Sequence, residues 1–162
     1  KTLVSLVVLI ALAGIGLWQF SGSAKAAPDV TFVSLSGQKI TPQDLRGKVV
    51  LVKFWATDCV TCIQQMPDMI KTYDALAPKG FEAIAVAMQY DPPNYVKNYA
   101  ETRKLPFPVA IDAQGQIAKA FGDIRLTPTA FLIDKQGHII KRYLGNYDKT
   151  AFLSTVEKAL AS

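Results

Sequence analysis

Cysteine and histidine are scarce in this chain of 162 residues, which contains two cysteines and a single histidine. A structural zinc ion takes four such ligands, and Cys59, Cys62 and the distant His138 cannot supply them. His138 falls in a predicted hairpin turn, where a polar side chain faces solvent. The sequence therefore predicts neither a bound metal nor a metal cofactor.

Dense clusters of basic residues are also missing, although the net charge is +5. No run of lysine and arginine with interleaved aromatic side chains occurs, which excludes the usual nucleic-acid-binding surface. The chain has no internal repeat and no low-complexity tract. From these absences we expect an ordinary globular domain that has no nucleic-acid partner.

A long uncharged apolar run does occur near the N-terminus, from Leu3 to Phe20. It reaches the lower end of the length that spans a bilayer, so residues 1–27 are predicted to be a membrane anchor. Small residues flank Lys25 as in a signal cleavage site, which keeps a cleaved signal and a soluble periplasmic protein as the alternative. Both alternatives place residues 28–162, enough for one domain, in the bacterial periplasm or at the extracytoplasmic face of the membrane.

The two cysteines stand close together, in the stretch Cys59-Val60-Thr61-Cys62, just after the apolar run Val49–Trp55. Two thiols at this spacing, where a buried strand passes into a helix, can close a small disulfide ring and open it again. A purely structural disulfide is the alternative, but so small a ring removes little entropy from the unfolded chain. The spacing therefore predicts a thiol–disulfide oxidoreductase whose only redox group is the Cys59–Cys62 pair.

Apolar segments alternate with helical patterns along the rest of the chain, which predicts an α/β fold with a mixed sheet. The predicted strands are Val30–Leu35, Val49–Trp55, Phe81–Met88, Phe107–Ile111, Ala130–Asp134 and Ile139–Leu144. The predicted helices lie between Thr41 and Gly47, from about Cys62 onward, at Pro93–Arg103, at Gln114–Phe121 and at Thr150–Leu160.

Four features in this order resemble the thioredoxin superfamily, and within it the membrane-tethered TlpA/ResA-like proteins. They are the stretch Phe54–Cys62, the proline at Pro67, an insertion from Asp91 to Asp112, and the segment Thr127–Asp134 with its Thr-Pro pair. The resemblance implies a thioredoxin-like fold over residues 28–162, with a central mixed β-sheet flanked by helices on both faces. It also implies the N-terminal extension and central insertion of the TlpA/ResA-like branch.

The resemblance also implies roles for individual residues. Cys59 is expected to lie exposed at a helix N-terminus, where the helix dipole favours its thiolate, and Cys62 to resolve the mixed disulfide. Thr127 and a cis Pro128 are expected to form the edge on which an extended substrate segment docks, with a trans turn proline as the alternative. Trp55 either shapes the surface beside the sulfurs or packs in the core.

Three residues depart from the family pattern. Asp58 precedes the first cysteine where the family usually has Trp, Lys53 stands where relatives have Asp or Asn, and Gln65 replaces a common Glu. Asp58 is predicted to disfavour the Cys59 thiolate and Lys53, if near the pair, to favour it. The alternatives are a solvated acid or helix cap for Asp58 and a snorkelling side chain at the strand edge for Lys53.

The residues between the cysteines include no histidine, the cationic partner associated with strongly oxidising relatives, which favours a reductase. The resemblance implies a monomeric reductase of specific protein disulfides, such as those of cytochrome c maturation or copper-site cysteines. A transmembrane electron donor of the DsbD/CcdA type would recharge the pair. The alternatives are an oxidase or isomerase of secreted proteins, and a Cu(I)-carrying module, against which the close cysteine spacing and the absence of a nearby histidine count.

Overall fold

The computed structural model describes residues 25–162, which form seven strands, four α-helices and one 3₁₀ turn. The strands are β1 (Phe32–Val33), β2 (Lys39–Ile40), β3 (Val49–Trp55), β4 (Phe81–Ala87), β5 (Val109–Ile111), β6 (Thr129–Ile133) and β7 (Ile139–Leu144). The helices are α1 (Val60–Leu76), followed by the 3₁₀ turn Ala77–Lys79, α2 (Pro93–Thr102), α3 (Gln116–Ala120) and α4 (Lys149–Ala161).

Five of the strands form one sheet in the order β5-β4-β3-β6-β7. β3, β4 and β5 run parallel to one another, whereas β6 is antiparallel to β3 and β7 is antiparallel to β6. Phe54, near the end of β3, pairs with Thr129 at the start of β6, so the end of β3 lies beside the segment that precedes β6. The sheet is mixed, and the predicted thioredoxin-like fold is confirmed.

The central strand β3 is buried along its whole length, because helices cover both faces of the sheet. Its side chains alternate between two apolar clusters. One cluster lies beneath α1, α2 and α4 and includes Leu51, Trp55, Met66, Val96 and Phe152. The other lies beneath α3 and the β1–β2 hairpin and includes Phe32, Val52, Phe54, Phe121 and Phe131.

The chain joins the fold a few residues before the predicted boundary at residue 28. The Ala27 amide donates to the Gly137 carbonyl at 2.9 Å, and the Ile139 amide donates to the Lys25 carbonyl at 2.8 Å. These bonds tie residues 25–27 to the β6–β7 hairpin, at the end of β3 opposite the cysteines. The predicted membrane segment Leu3–Phe20 lies outside the described residues, and no helix within residues 25–162 has both the length and the apolar character to cross a membrane.

Two sequence predictions of local structure are wrong in detail. Between Thr41 and Gly47 the structure has successive turns instead of a helix, with the Asp44 amide donating to the Thr41 carbonyl at 3.1 Å. Gly47 has a left-handed φ of +79° and its amide donates to Lys135, which ends the segment after little more than one turn. The predicted strand Val30–Leu35 shortens to β1, because its partner β2 is only two residues long.

Candidate active site

The two cysteines lie where the chain leaves the sheet and enters α1. β3 ends at Trp55, a short loop follows, and Cys59 is the N-cap of the helix. Cys62 is three residues further, in the first helical turn, so both side chains lie on the same side of the helix. The two residues are joined by a disulfide, with their Cα atoms 5.2 Å apart.

The environments of the two sulfurs differ. Cys59 is partly exposed, whereas Cys62, in the first turn of α1, is completely buried. The Cys62 amide donates to the Cys59 sulfur at 3.2 Å, so the sulfur already accepts one of the free N–H groups of the helix start. Once the pair is reduced, the positive end of the helix favours a thiolate on Cys59, and the buried Cys62 can displace a partner held there.

The Thr127-Pro128 segment lies at the same end of the sheet. Its peptide bond is cis, and Pro128 is buried while Thr127 stays partly exposed. The Pro128 carbonyl accepts from Gly145 at 2.8 Å, and the Thr127 and Tyr90 hydroxyl oxygens lie 3.5 Å apart. Among the hydrogen bonds of the described residues, none uses the backbone N–H or C=O of Thr127.

Lys53 is completely buried on the same face of β3 as Trp55, beneath the helix that carries Cys62. Its ammonium group donates to Gln65 Oε1 at 2.7 Å, and no acidic side chain of residues 25–162 forms a salt bridge with it. Burial lowers the pKa of Lys53 to about 8, because the charged form loses its hydration. The alternative of a snorkelling lysine is therefore wrong.

Gln65 holds the polar end of Lys53 in place. Its amide nitrogen donates to the Gly145 carbonyl and to Asn146 Oδ1, both at 3.1 Å, in the loop between β7 and α4. Because both amide protons of Gln65 are used, its oxygen is left facing Lys53. Gln65 lies three residues after Cys62, one helical turn along α1. Lys53, which is completely buried, and Gln65, which is partly buried, thus form a polar pair beneath the helix that carries Cys62.

Of two other predicted site residues, one is buried in the core and the other is exposed at the surface. Trp55 is completely buried and stacks at a tilt on Tyr99, with ring centroids 5.3 Å apart, which leaves it a packing role and no exposed surface. Asp58 is exposed, and the helix is capped by the Cys59 sulfur, so the helix-cap alternative for Asp58 is wrong.

Sequence reasoning missed a buried carboxylate beside residues 56–59, the cysteine loop between β3 and α1. Asp91 enters the sequence analysis only as the start of the insertion, yet it accepts hydrogen bonds from the Thr57 amide at 2.7 Å and the Thr57 hydroxyl at 2.5 Å. No local pattern reveals this contact, because the two residues are 34 positions apart and meet only through the pairing of β3 with β4.

Comparisons with known proteins agree with this geometry. The Redoxin family profile matches residues 22–160 of the chain. The chain belongs to the Redoxin family. The thiol-disulfide oxidoreductase ResA of Bacillus cereus is 36% identical over 92% of this chain and 91% of that protein.

Solved structures lead to the same group of proteins. A thiol:disulfide interchange protein of the thioredoxin family from Chlorobium tepidum is 30% identical, with a TM-score of 0.78 over 86% of this chain and 99% of that one. An exposed lipoprotein thioredoxin of Streptococcus pneumoniae is 26% identical, with a TM-score of 0.70 over 80% of this chain and 98% of that one. This Redoxin-family chain is a TlpA/ResA-like thiol-disulfide oxidoreductase of the thioredoxin superfamily.

Within the described part of this Redoxin-family protein, Cys59 and Cys62 form the only disulfide. Within residues 25–162, no three His, Cys, Asp or Glu side chains come together as a metal site would require. His138 Nδ1 lies 3.5 Å from the Asp134 carboxylate, near the hairpin at the opposite end of β3 from the cysteines.

Proposed function

We propose that this oxidoreductase is an extracytoplasmic reductase of specific protein disulfides, with Cys59 as the attacking sulfur and Cys62 as the resolving one. The observation that carries the proposal is the unequal exposure of the pair, since Cys62 is completely buried and Cys59 is partly exposed. A partner disulfide can reach only the exposed sulfur, and the buried one can reach only Cys59.

The electron balance of the proposed cycle follows from this order. The Cys59 thiolate attacks one sulfur of the substrate disulfide, forming a mixed disulfide and releasing the first substrate thiolate. Cys62 then releases its proton to water, and its thiolate attacks the Cys59 sulfur, which releases the second substrate thiolate. The substrate gains two electrons, and the protein is left with the Cys59–Cys62 disulfide.

Lys53 is proposed to assist the second step. A buried ammonium group on the face that carries Cys62 favours the thiolate over the thiol, because opposite charges attract strongly where water is absent. Gln65 keeps that ammonium in place through its hydrogen bond. Asp58 is proposed to act on Cys59 in the opposite sense and more weakly, because it is exposed and its charge is screened by salt.

Thr127 and Pro128 are proposed to receive the substrate. The free backbone groups of Thr127 can pair with an extended segment of the partner protein, as an added strand does. Large apolar side chains stand exposed around this edge at Val60, Tyr90 and Leu126. Apolar contacts of this kind contribute to the binding of a polypeptide and contribute little to the binding of a small disulfide.

A substitution at Leu126, which is 64% exposed, tests this docking edge. Leu126→Ser is expected to lower kcat/KM for insulin reduction about three- to tenfold, since partial burial of one leucine contributes on the order of 1 kcal/mol. Its rate with the small disulfide DTNB should stay unchanged. Ile140→Ser is the matched control, because Ile140 is exposed on β7, away from the cysteine end of the sheet. An equal loss in both variants would contradict the proposed edge.

One observation supports the proposal that the protein acts as a reductase, and another opposes it. The absence of a histidine between the cysteines favours a low potential, whereas the Lys53 charge stabilises the reduced pair and so raises the potential. That lysine is the specific observation in favour of the second candidate, an oxidase or isomerase of secreted proteins.

Redox titration against glutathione decides between the two directions. The reductase proposal expects a reduction potential well below about −150 mV, whereas a value at or above about −150 mV would make the protein an oxidant. Refolding of scrambled ribonuclease then separates an isomerase from a simple oxidase. Lys53→Met is expected to give a lower potential than the wild-type protein.

The proposed location is the bacterial periplasm or the outer face of the membrane, with residues 1–27 as the tether. Support comes from the uncharged apolar run Leu3–Phe20 and from the similar lipoprotein thioredoxin described as exposed. In an oxidising compartment the pair needs an electron source, and we propose a transmembrane donor of the DsbD/CcdA type. Haem-attachment and copper-site cysteines are the proposed substrates, and the protein is proposed to act as a monomer.

A further inference from the structure

Asp91 is a buried acid whose carboxylate forms its hydrogen bonds with the cysteine loop. Its residue is 3% exposed, and within the described residues its carboxylate forms no salt bridge. One carboxylate oxygen accepts from the Thr57 amide and the other from the Thr57 hydroxyl. The carboxylate does not cap α2, because the N-cap residue of that helix is Pro92 and no side chain forms a capping hydrogen bond there.

The sheet brings Asp91 to this place. Trp55 pairs with Ala87 at the ends of β3 and β4, and the Met88 amide donates to the Trp55 carbonyl at 3.0 Å. The chain then turns, with the Asp91 amide donating to the Met88 carbonyl at 3.0 Å. The loop that follows β4 therefore lies beside the loop that follows β3, and Asp91 spans the gap between them.

Burying a carboxylate without a cation is costly, and the two hydrogen bonds to Thr57 are what offsets that cost here. The cysteine loop has few other attachments. Among the described hydrogen bonds, residues 57 and 58 use their backbone only in the contact with Asp91, and the Cys59 amide donates within the loop to Ala56 at 3.2 Å. The contact with Asp91 is thus the hydrogen-bonded link between residues 57 and 58 and the rest of the fold.

We infer that Asp91 is a positioning residue for the nucleophile: through Thr57 it holds the loop that keeps the Cys59 sulfur at the N-terminus of α1. The inference rests on the proposed role of Cys59 as the attacking sulfur. Thr57 is two residues before Cys59, and the Cys59 sulfur accepts from the Cys62 amide at 3.2 Å. If the loop is released, the sulfur leaves the free N–H groups of the helix, the thiolate loses their stabilisation and the attack slows.

The test measures alkylation of Cys59 by iodoacetamide in the reduced protein as a function of pH. Asp91→Ala is expected to slow alkylation at pH 7 about five- to twentyfold and to move the titration midpoint of Cys59 upward, because only the thiolate reacts. Asp91→Asn and Thr57→Ser should stay within about twofold of wild type. The amide of Asp91→Asn can accept from the Thr57 amide and donate to the Thr57 hydroxyl oxygen, and the hydroxyl of Thr57→Ser can donate as threonine does.

Asp112→Ala is the matched control. Asp112 is also 3% exposed, but its carboxylate accepts from the Ile117 and Ala118 amides at the start of α3 and does not contact the cysteine loop. This variant is expected to lose thermal stability without changing the alkylation rate or its pH profile. That contrast separates positioning of Cys59 from a general loss of stability.

The inference is overturned if Asp91→Ala folds and alkylates with the wild-type rate and pH profile. It is also overturned if Asp91→Asn is as slow as Asp91→Ala, because the charge would then matter more than the position. If Asp91→Ala does not fold, Thr57→Val provides the test, as it removes only the hydroxyl contact and should slow alkylation by a smaller factor.

Alkylation is independent of redox direction, so an oxidising potential would refute the reductase proposal and leave this inference intact. Alkylation of the wild-type protein at Cys62 instead of Cys59 would refute the proposed order of attack.

Discussion

Replacing Cys59 by serine is expected to abolish the reduction of insulin by dithiothreitol, with a rate at least about a hundredfold below wild type and equal to the uncatalysed one. The reason is that a serine hydroxyl stays protonated and cannot exchange with a disulfide. Cys59 is also the exposed member of the pair, so no other sulfur can take its place. The measurement is the rate of insulin precipitation at pH 7.

Cys62→Ser is the informative companion variant. It should lose multiple turnover as well, because nothing then releases the substrate from Cys59. Its single remaining thiol should nevertheless react with DTNB about as fast as Cys59 of the reduced wild-type protein, because the helix N-terminus is unchanged. Substantial insulin reduction by Cys59→Ser would contradict the proposed mechanism.

Replacing Lys53 by methionine is expected to stabilise the fold at pH 7. It should also remove the increase in stability that the wild-type protein is expected to show as the pH rises above 8. Burial lowers the pKa of Lys53 from 10.5 to about 8, which corresponds to a cost of about 3 kcal/mol for burying the ammonium group. Below pH 8 the group is protonated in both the folded and the unfolded chain, so this cost is present in full. Between pH 8 and 10.5 the folded chain releases its proton first, so stability rises with pH.

The measurement is guanidinium unfolding of the oxidised protein at pH 7 and at pH 9.5. The wild-type protein should be more stable at the higher pH, and Lys53→Met should gain about 2 kcal/mol at pH 7, less than the full cost because Gln65 loses its hydrogen-bond donor. Burial raises the pKa of Tyr147 to about 12 and that of Tyr143 above its usual value, so tyrosine ionisation in the unfolded chain opposes the rise near pH 9.5, equally in wild type and in Lys53→Met. Lys119→Met, at an exposed position of α3, is the control and should change neither value. A loss of stability at pH 7 in Lys53→Met would show that the ammonium is stabilising where it lies.

The strands and the dithiol were predictable because their signals are local. β3 has the predicted bounds Val49–Trp55, since a continuous apolar run bounded by glycine and polar loop residues leaves little choice. The spacing of Cys59 and Cys62 by itself indicates thiol–disulfide exchange. The segment from Thr41 to Gly47 shows the limit of such signals, because it carries a helix-start pattern but too few residues to propagate a helix before Gly47.

The polar contacts around the dithiol could not be predicted, because they depend on the tertiary fold. From the sequence alone, Lys53 fits both an exposed lysine at a strand edge and a buried lysine. It is buried because a helix packs above it, and that packing depends on the tertiary fold. Gln65 meets Gly145 and Asn146 across 80 and 81 positions of sequence. Asp91 likewise reaches Thr57 only because β4 lies beside β3. These contacts surround the sulfurs, where chain segments far apart in sequence converge.

The most direct test of the account is to mix reduced Cys62→Ser with an oxidised protein substrate, quench with acid and map the covalent adduct by mass spectrometry. We expect one adduct per chain, a mixed disulfide through Cys59, which dithiothreitol reduces again. A chain that forms no adduct, while the wild-type protein reduces the same substrate, would contradict the claim that Cys59 makes the first attack.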